Sequence, residues 1–195
     1  MLKNIVLTEA VKGGLTTYCL SSHDISLCDF YDDWALQIAR KYSHNTTTSY
    51  CRKVAQFLDY ILEAGLINPE GLTPQIMLKA INEYESFLVF GEESDVSSEI
   101  AKSVAASLSP KSISGSSVET HFAAVNNFLS ASENFRKSLK ALEDSGIIDS
   151  QLASSTPLIS SYRESSSTSI KNGIKNNSWL AGCIQGGART VKRHG

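Results

Sequence analysis

Long apolar runs are missing from this chain of 195 residues. A membrane-spanning helix needs about eighteen or more such residues in succession, so none is expected. A signal peptide is missing too. Met1-Leu2-Lys3-Asn4-Ile5-Val6-Leu7-Thr8-Glu9 meets an acid after a few apolar residues and has no small-residue cleavage site. Cysteine is scarce and scattered: Cys19, Cys28, Cys51 and Cys183 form no C-x-x-C pair. The closely spaced ligands of a zinc site are therefore absent, and neither metal nor cofactor is expected. A reduced, partly buried thiol at Cys51 and a cytoplasmic location fit this pattern.

Charge is modest, with 19% charged residues and a net charge of −2. That small net value hides an asymmetry. From Pro157 onward Arg163, Lys171, Lys175, Arg189, Lys192 and Arg193 face one acid, Glu164, which leaves residues 1–156 acidic. A basic tail on an acidic body points to a polyanion or a protein partner, and a solvated linker would read the same. What the chain has in quantity is apolar side chains, 42% of the total, enough for one core.

Their periodicity predicts a mainly α protein: a compact bundle of four to five helices, a short N-terminal β-hairpin and a flexible C-terminal linker. Ile5–Val11 and Leu15–Leu20 are β-prone runs around Gly13-Gly14, a hairpin turn signal. From Asp29, Tyr31, Trp34, Ala35, Ile38 and Tyr42 follow helical spacing. Asp29, Asp32 and Asp33 are expected in the first turn and Arg40 and Lys41 in the last, as the helix dipole favours. A second helix is expected from Ser43–Asn45 to Ala64 with Gly65 as a left-handed stop, and a third from Thr73-Pro74 to Gly91. A fourth should run from Asp95 to about Leu108, ahead of Pro110. The fifth opens on a capping box, Ser116-Ser117-Val118-Glu119, and continues to Gly146 either unbroken or across a break near Asn134. Beyond Ser150 the sequence turns Ser-rich, interrupted by the apolar island Trp179–Ile184.

Two polar edges carry the functional signal. The first surrounds the start of the second helix: Lys41, Ser43, His44, Asn45, Thr46, Thr48, Arg52, Lys53 and Gln56. Free N–H groups and the positive dipole end there suit phosphate oxygens, and Thr48, Arg52 and Gln56 lie opposite the apolar stripe, where they could face a groove. An ordinary cap on a solvated helix would look alike. The second edge is Lys111, Ser114, Ser116 and Ser117, followed by Thr120, Ala123, Ala124 and Asn127 on the face opposite the core stripe. Small residues there admit a close neighbour, either DNA or another helix.

Taken together, Ser43-x-Asn45-Thr46-x-x-x-Tyr50-x-x-x-Val54-x-x-Phe57-Leu58-x-Tyr60, then Leu72-Thr73, then Ser116-x-Val118-x-Thr120-x-Phe122-x-Ala124-Val125-x-x-Phe128-Leu129 resembles the core-binding domain of tyrosine recombinases and phage integrases. The resemblance covers about residues 29–135. It implies a bundle forming one half of a C-shaped clamp on double-stranded DNA, with helices Asn45–Ala64 and Ser116–Leu129 in adjacent major-groove surfaces. It also implies self-association of protomers on a recombination site for integration or excision. The resulting organisation is an N-terminal arm over 1–28, a core-binding domain over 29–150, and a basic Ser-rich linker over 151–195 leading to an absent catalytic domain.

The family's catalytic Arg, Lys, His-x-x-Arg and Tyr set is not found. The histidines continue as His23-Asp-Ile-Ser, His44-Asn-Thr-Thr, His121-Phe-Ala-Ala and His194-Gly. Gly182-Cys-Ile-Gln-Gly186-Gly187 lacks the Lys-Ser/Thr of a phosphate loop. Asp32-Asp33 and Glu92-Glu93 point different ways on a helix, and Tyr162, without an Arg/His constellation, reads as an anchor of the linker. No catalysis is expected of this chain. The competing reading is a helical protein-interaction or oligomerisation module, docking through Trp179-Leu180 and apolar helix faces, with no DNA role.

Overall fold

The computed structural model describes residues 2–22, 25–93 and 98–147. The expectations for the linker 151–195, Tyr162, the Trp179–Ile184 island, and Asp95 and Val96 fall outside these residues. The chain forms β1 (Val6–Lys12) and β2 (Leu15–Ser21), then α1 (Ile25–Lys41), α2 (His44–Leu66), α3 (Pro74–Phe90), a single 3-10 turn (Gly91–Glu93), α4 (Glu99–Leu108) and α5 (Gly115–Asp144). The protein is mainly helical with an N-terminal hairpin.

The strands pair antiparallel with Lys12 opposite Leu15. Gly13 and Gly14 both have positive φ, 59° and 76°, which a two-residue type I′ turn requires. The hairpin is no separate arm, because Ile5, Tyr18 and Leu20 belong to the common core. It is also pinned to α1: the Leu20 N–H donates to Asp32 Oδ1 at 2.8 Å, and Lys12 lies 3.8 Å from the same carboxylate. That role corrects the dipole assignment. The first turn of α1 begins at Ile25 and holds no acid, so Asp32 serves the hairpin, while Arg40 and Lys41 do occupy the last turn.

The centre of the core is α2, which packs against α1, α3, α4 and α5. Ser43 caps it, accepting the Thr46 N–H. Gly65 does not stop it. The helix runs on to Leu66, and Gly65 is buried where an added Cβ would lie 2.7 Å from Leu72 Cβ, so close approach explains this glycine. Thr73 caps α3 with proline in its first turn, and Gly91 closes it at φ 53°. Around α2 the aromatic rings interlock: Phe57, Tyr60, Tyr84 and Phe87 on one side, Tyr31, Trp34 and Phe128 on the other. The buried phenols find backbone acceptors, Tyr31 on Cys51 O and Tyr60 on Ala80 O, both at 2.7 Å. Cys51 is fully buried, which pushes its thiol up to about 12.

The N-terminus of α5 also differs from expectation. Its cap is Ser114, the helix begins at Gly115, and Ser116 already lies inside the first turn, so the Ser116–Glu119 capping box does not form and Glu119 is exposed. The helix is unbroken to Asp144. Gly146, at φ 73°, ends it: the Ile147 N–H reaches Leu142 O at 3.0 Å and the Gly146 N–H reaches Glu143 O at 2.9 Å, a Schellman closure. Among the described residues no helix is long and apolar enough to cross a membrane.

Candidate nucleic-acid interface

The two polar edges lie 55 or more residues apart in sequence, and the fold brings part of them together. Pro110, directly after the C-cap Ser109 of α4, and Ile113, whose N–H donates to Leu88 O at 3.0 Å, bound the loop that leads into α5. This loop sets Lys111 beside the outer face of α2. Lys111, Arg52 and Gln56 line one open groove of about 580 Å³, with Leu2, Leu7, Leu108 and Ile113 supplying apolar wall. The Asp59 carboxylate also borders it, with both oxygens occupied by the backbone N–H groups of Lys3 and Asn4 at 3.0 and 2.7 Å.

The N-terminus of α2 forms the second part of the surface. His44 and Asn45 are exposed in its first turn, where amides have no partner within the helix. Ser43 Oγ and Thr46 Oγ1 bond each other at 3.1 Å. Lys41 lies 5.3 Å from the centre of the Tyr42 ring, which itself packs on Tyr50. Lys53 is half-buried and donates to Ser49, and burial lowers its ammonium pKa below the ordinary value.

Three expected contacts point inward instead. The Thr48 hydroxyl bonds Tyr18 Oη at 2.9 Å, so the hairpin covers it. Asn127 Oδ1 accepts the Trp34 indole N–H at 2.9 Å, and Trp34 is buried. Ala124 is fully buried, correcting its placement on an outer face, whereas Ala123 and Thr120 are exposed. Thr120 donates back to Ser117 O, and Ser114 Oγ stands 3.2 and 3.0 Å from Ser116 Oγ and Ser117 Oγ. These α5 hydroxyls form an exposed cluster about the helix start.

No family model, curated protein or solved structure matches the chain. The surface is defined by its geometry and its charge.

Its most informative property is which bases lack acids. Lys3, Lys12, Lys79, Lys137 and Lys140 all sit in ion pairs. Among the described side chains, the bases without an ion-pair partner are Arg40, Lys41, Arg52, Lys53, Lys102 and Lys111. Apart from Lys102 on α4, they all lie at the end of α1, along the first half of α2, or in the loop before α5. The body is acidic in sum, and two of these bases, Arg52 and Lys111, still share one groove.

Sequence reasoning missed the contribution of the N-terminus to this region. Leu2 and Leu7 wall the groove, and the chain between them is tied to Asp59 and Glu63. The local signal was the presence of two acids four residues apart on the mostly apolar second half of α2.

Proposed function

We propose that this body is a double-stranded-DNA-gripping module of the kind used by tyrosine recombinases and integrases. It holds a recombination site for integration or excision and associates with like protomers on it. The observation that carries the reading is the convergence of Arg52, Gln56 and Lys111 on one groove, on the helix whose first turn exposes His44 and Asn45. Such a surface offers phosphate contacts from a guanidinium, an ammonium and a helix N-terminus, together with an amide suited to a base edge. The acidic remainder limits affinity, so this chain alone is expected in the range of nonspecific binding, with Kd about 10⁻⁴–10⁻⁶ M.

The test is a fluorescence anisotropy titration of this chain against duplex DNA at several salt concentrations. Affinity should fall with a log–log slope of about −0.9 per phosphate neutralised. Arg52→Ala and Lys111→Ala should each weaken binding uniformly across sequences and flatten the slope by about one phosphate. Binding that ignores salt, or that survives both substitutions intact, would refute the reading.

A protein-interaction role has one observation in its favour. Phe135 and Leu142 on the second half of α5, and Ile147 just beyond its end, are exposed at 41%, 38% and 70%. Light scattering that shows a salt-insensitive oligomer dissolved by Leu142→Glu would support that role.

A further inference from the structure

The outer face of α2 changes character along its length. Arg52, Gln56, Asp59 and Glu63 recur at helical spacing and share one stripe. The first half of the stripe is basic and amide-bearing, and the second half carries two carboxylates. Asp59 lies roughly 5 Å along the axis from Gln56 and about 10 Å from Arg52. Bare carboxylates at that range, comparable with the Debye length, would repel a phosphate in the groove and compete for the guanidinium.

They are not bare. Asp59 and Glu63 are each only 2% exposed, because the N-terminal segment lies over them. Asp59 accepts the Lys3 and Asn4 N–H groups. Glu63 accepts Lys3 Nζ at 2.9 Å, Asn4 Nδ2 at 2.7 Å and the Ser107 hydroxyl of α4. Five donors from the N-terminal segment and α4 thus take up both acids. The same segment places Leu2 and Leu7 in the groove wall.

We infer that the N-terminal segment is an electrostatic mask: by docking Lys3 and Asn4 on Asp59 and Glu63 it turns the outer face of α2 into a surface that attracts polyanions. With the segment displaced, the same face presents two carboxylates beside Arg52 and Gln56 and loses that attraction. The inference rests on reading this surface as a DNA contact, and heparin serves as a probe that separates the two claims.

The experiment compares the full chain with a variant lacking Leu2–Asn4, by salt elution from heparin and by titration with duplex DNA, with folding checked by circular dichroism. Deletion should lower the eluting salt and weaken duplex binding about tenfold. Adding Asp59→Asn and Glu63→Gln to the deletion should restore retention, whereas adding Glu70→Gln, a remote exposed acid, should not. In the full-length chain Lys3→Ala should lower retention and Lys3→Ala with Glu63→Gln should recover it, so the inference is tested even where the deletion does not fold. Unchanged retention after deletion overturns the inference. So does a loss that removing the acids fails to restore, and so does a full chain that heparin does not hold. Retention that follows the mask without any duplex binding sustains the inference and sinks the DNA reading.

Discussion

Lowering the pH should unfold this protein early, and His121 is the reason. It lies on the second turn of α5, 6% exposed, with Nδ1 3.5 Å from Tyr84 Oη and the Lys53 ammonium of α2 nearby. Burial foremost, and Lys53 after it, disfavour the imidazolium and push the His121 pKa down to about 4. Unfolding returns it to about 6.5, so between those values the unfolded chain binds the extra proton. Stability from this site is complete above the unfolded pKa and is lost as pH falls through the window toward 4. Linkage gives a loss of about 2 kcal/mol between pH 7.5 and about pH 5. Urea denaturation at a series of pH values, run on the native chain and on His121→Gln, isolates this contribution. The native midpoint should drop more steeply over the window, and the two curves should converge in acid. Glu63 supplies a second acid-labile contact, but its depressed carboxyl titrates lower. Burial works to raise it, and the hydrogen bonds from Ser107, Lys3 and Asn4 outweigh burial. Its contribution is therefore present above the ordinary carboxylate range and lost below it, largely outside the His121 window. Parallel curves for the two proteins, or an imidazole that titrates near 6.5 by NMR, would refute the reasoning.

Asn127→Ala should cost about 1–3 kcal/mol of stability, because it strands the buried Trp34 indole N–H, and Asn127→Asp should retain most of it; thermal melts of both decide. Gly65→Ala should destabilise by about 1–3 kcal/mol despite alanine's better helix propensity, since its methyl would lie 2.7 Å from Leu72 Cβ, and a raised melting temperature would contradict this. Phe57→Ala should cost about 3–5 kcal/mol by denaturant titration, the ring being 1% exposed and edge-on to Tyr84 at 5.0 Å between centroids.

The helices were legible because each must bury a stripe, and a stripe recurs in sequence every three or four residues. Ser43, Thr73 and Gly91 were legible as boundaries because a cap acts within one turn of its own residue. Gly65, Ala124 and the Ser116–Glu119 pattern were misread because tertiary neighbours decide them. Gly65 answers to Leu72 across a helix junction, and Ala124 is buried although the expected stripe ran through Phe122 and Val125. The Ser116 box loses to Ser114 because the helix gains two residues by starting earlier, with the Ser117 and Val118 N–H groups both reaching Ser114 O.

The site was legible in its parts and hidden in its assembly, and charge shows why. Summed over the sequence, the body is acidic and argues against a polyanion. Net charge counts every acid as though it were free, but a partner meets only the charge that the fold leaves unpaired. Glu63, Glu99 and Glu133 each hold a lysine, Glu143 and Asp144 share Lys140, and Asp32 holds Lys12. Asp59 is occupied by two backbone amides from a segment more than fifty residues away in sequence. No periodicity encodes that last contact, because its donors are main-chain N–H groups that any residue would supply. What decides it is where the hairpin packs, which Ile5, Tyr18 and Leu20 settle by entering the core. The same few apolar side chains that anchor the hairpin thereby set the sign of the surface beside Arg52, which makes the positive region a consequence of hydrophobic packing rather than of composition.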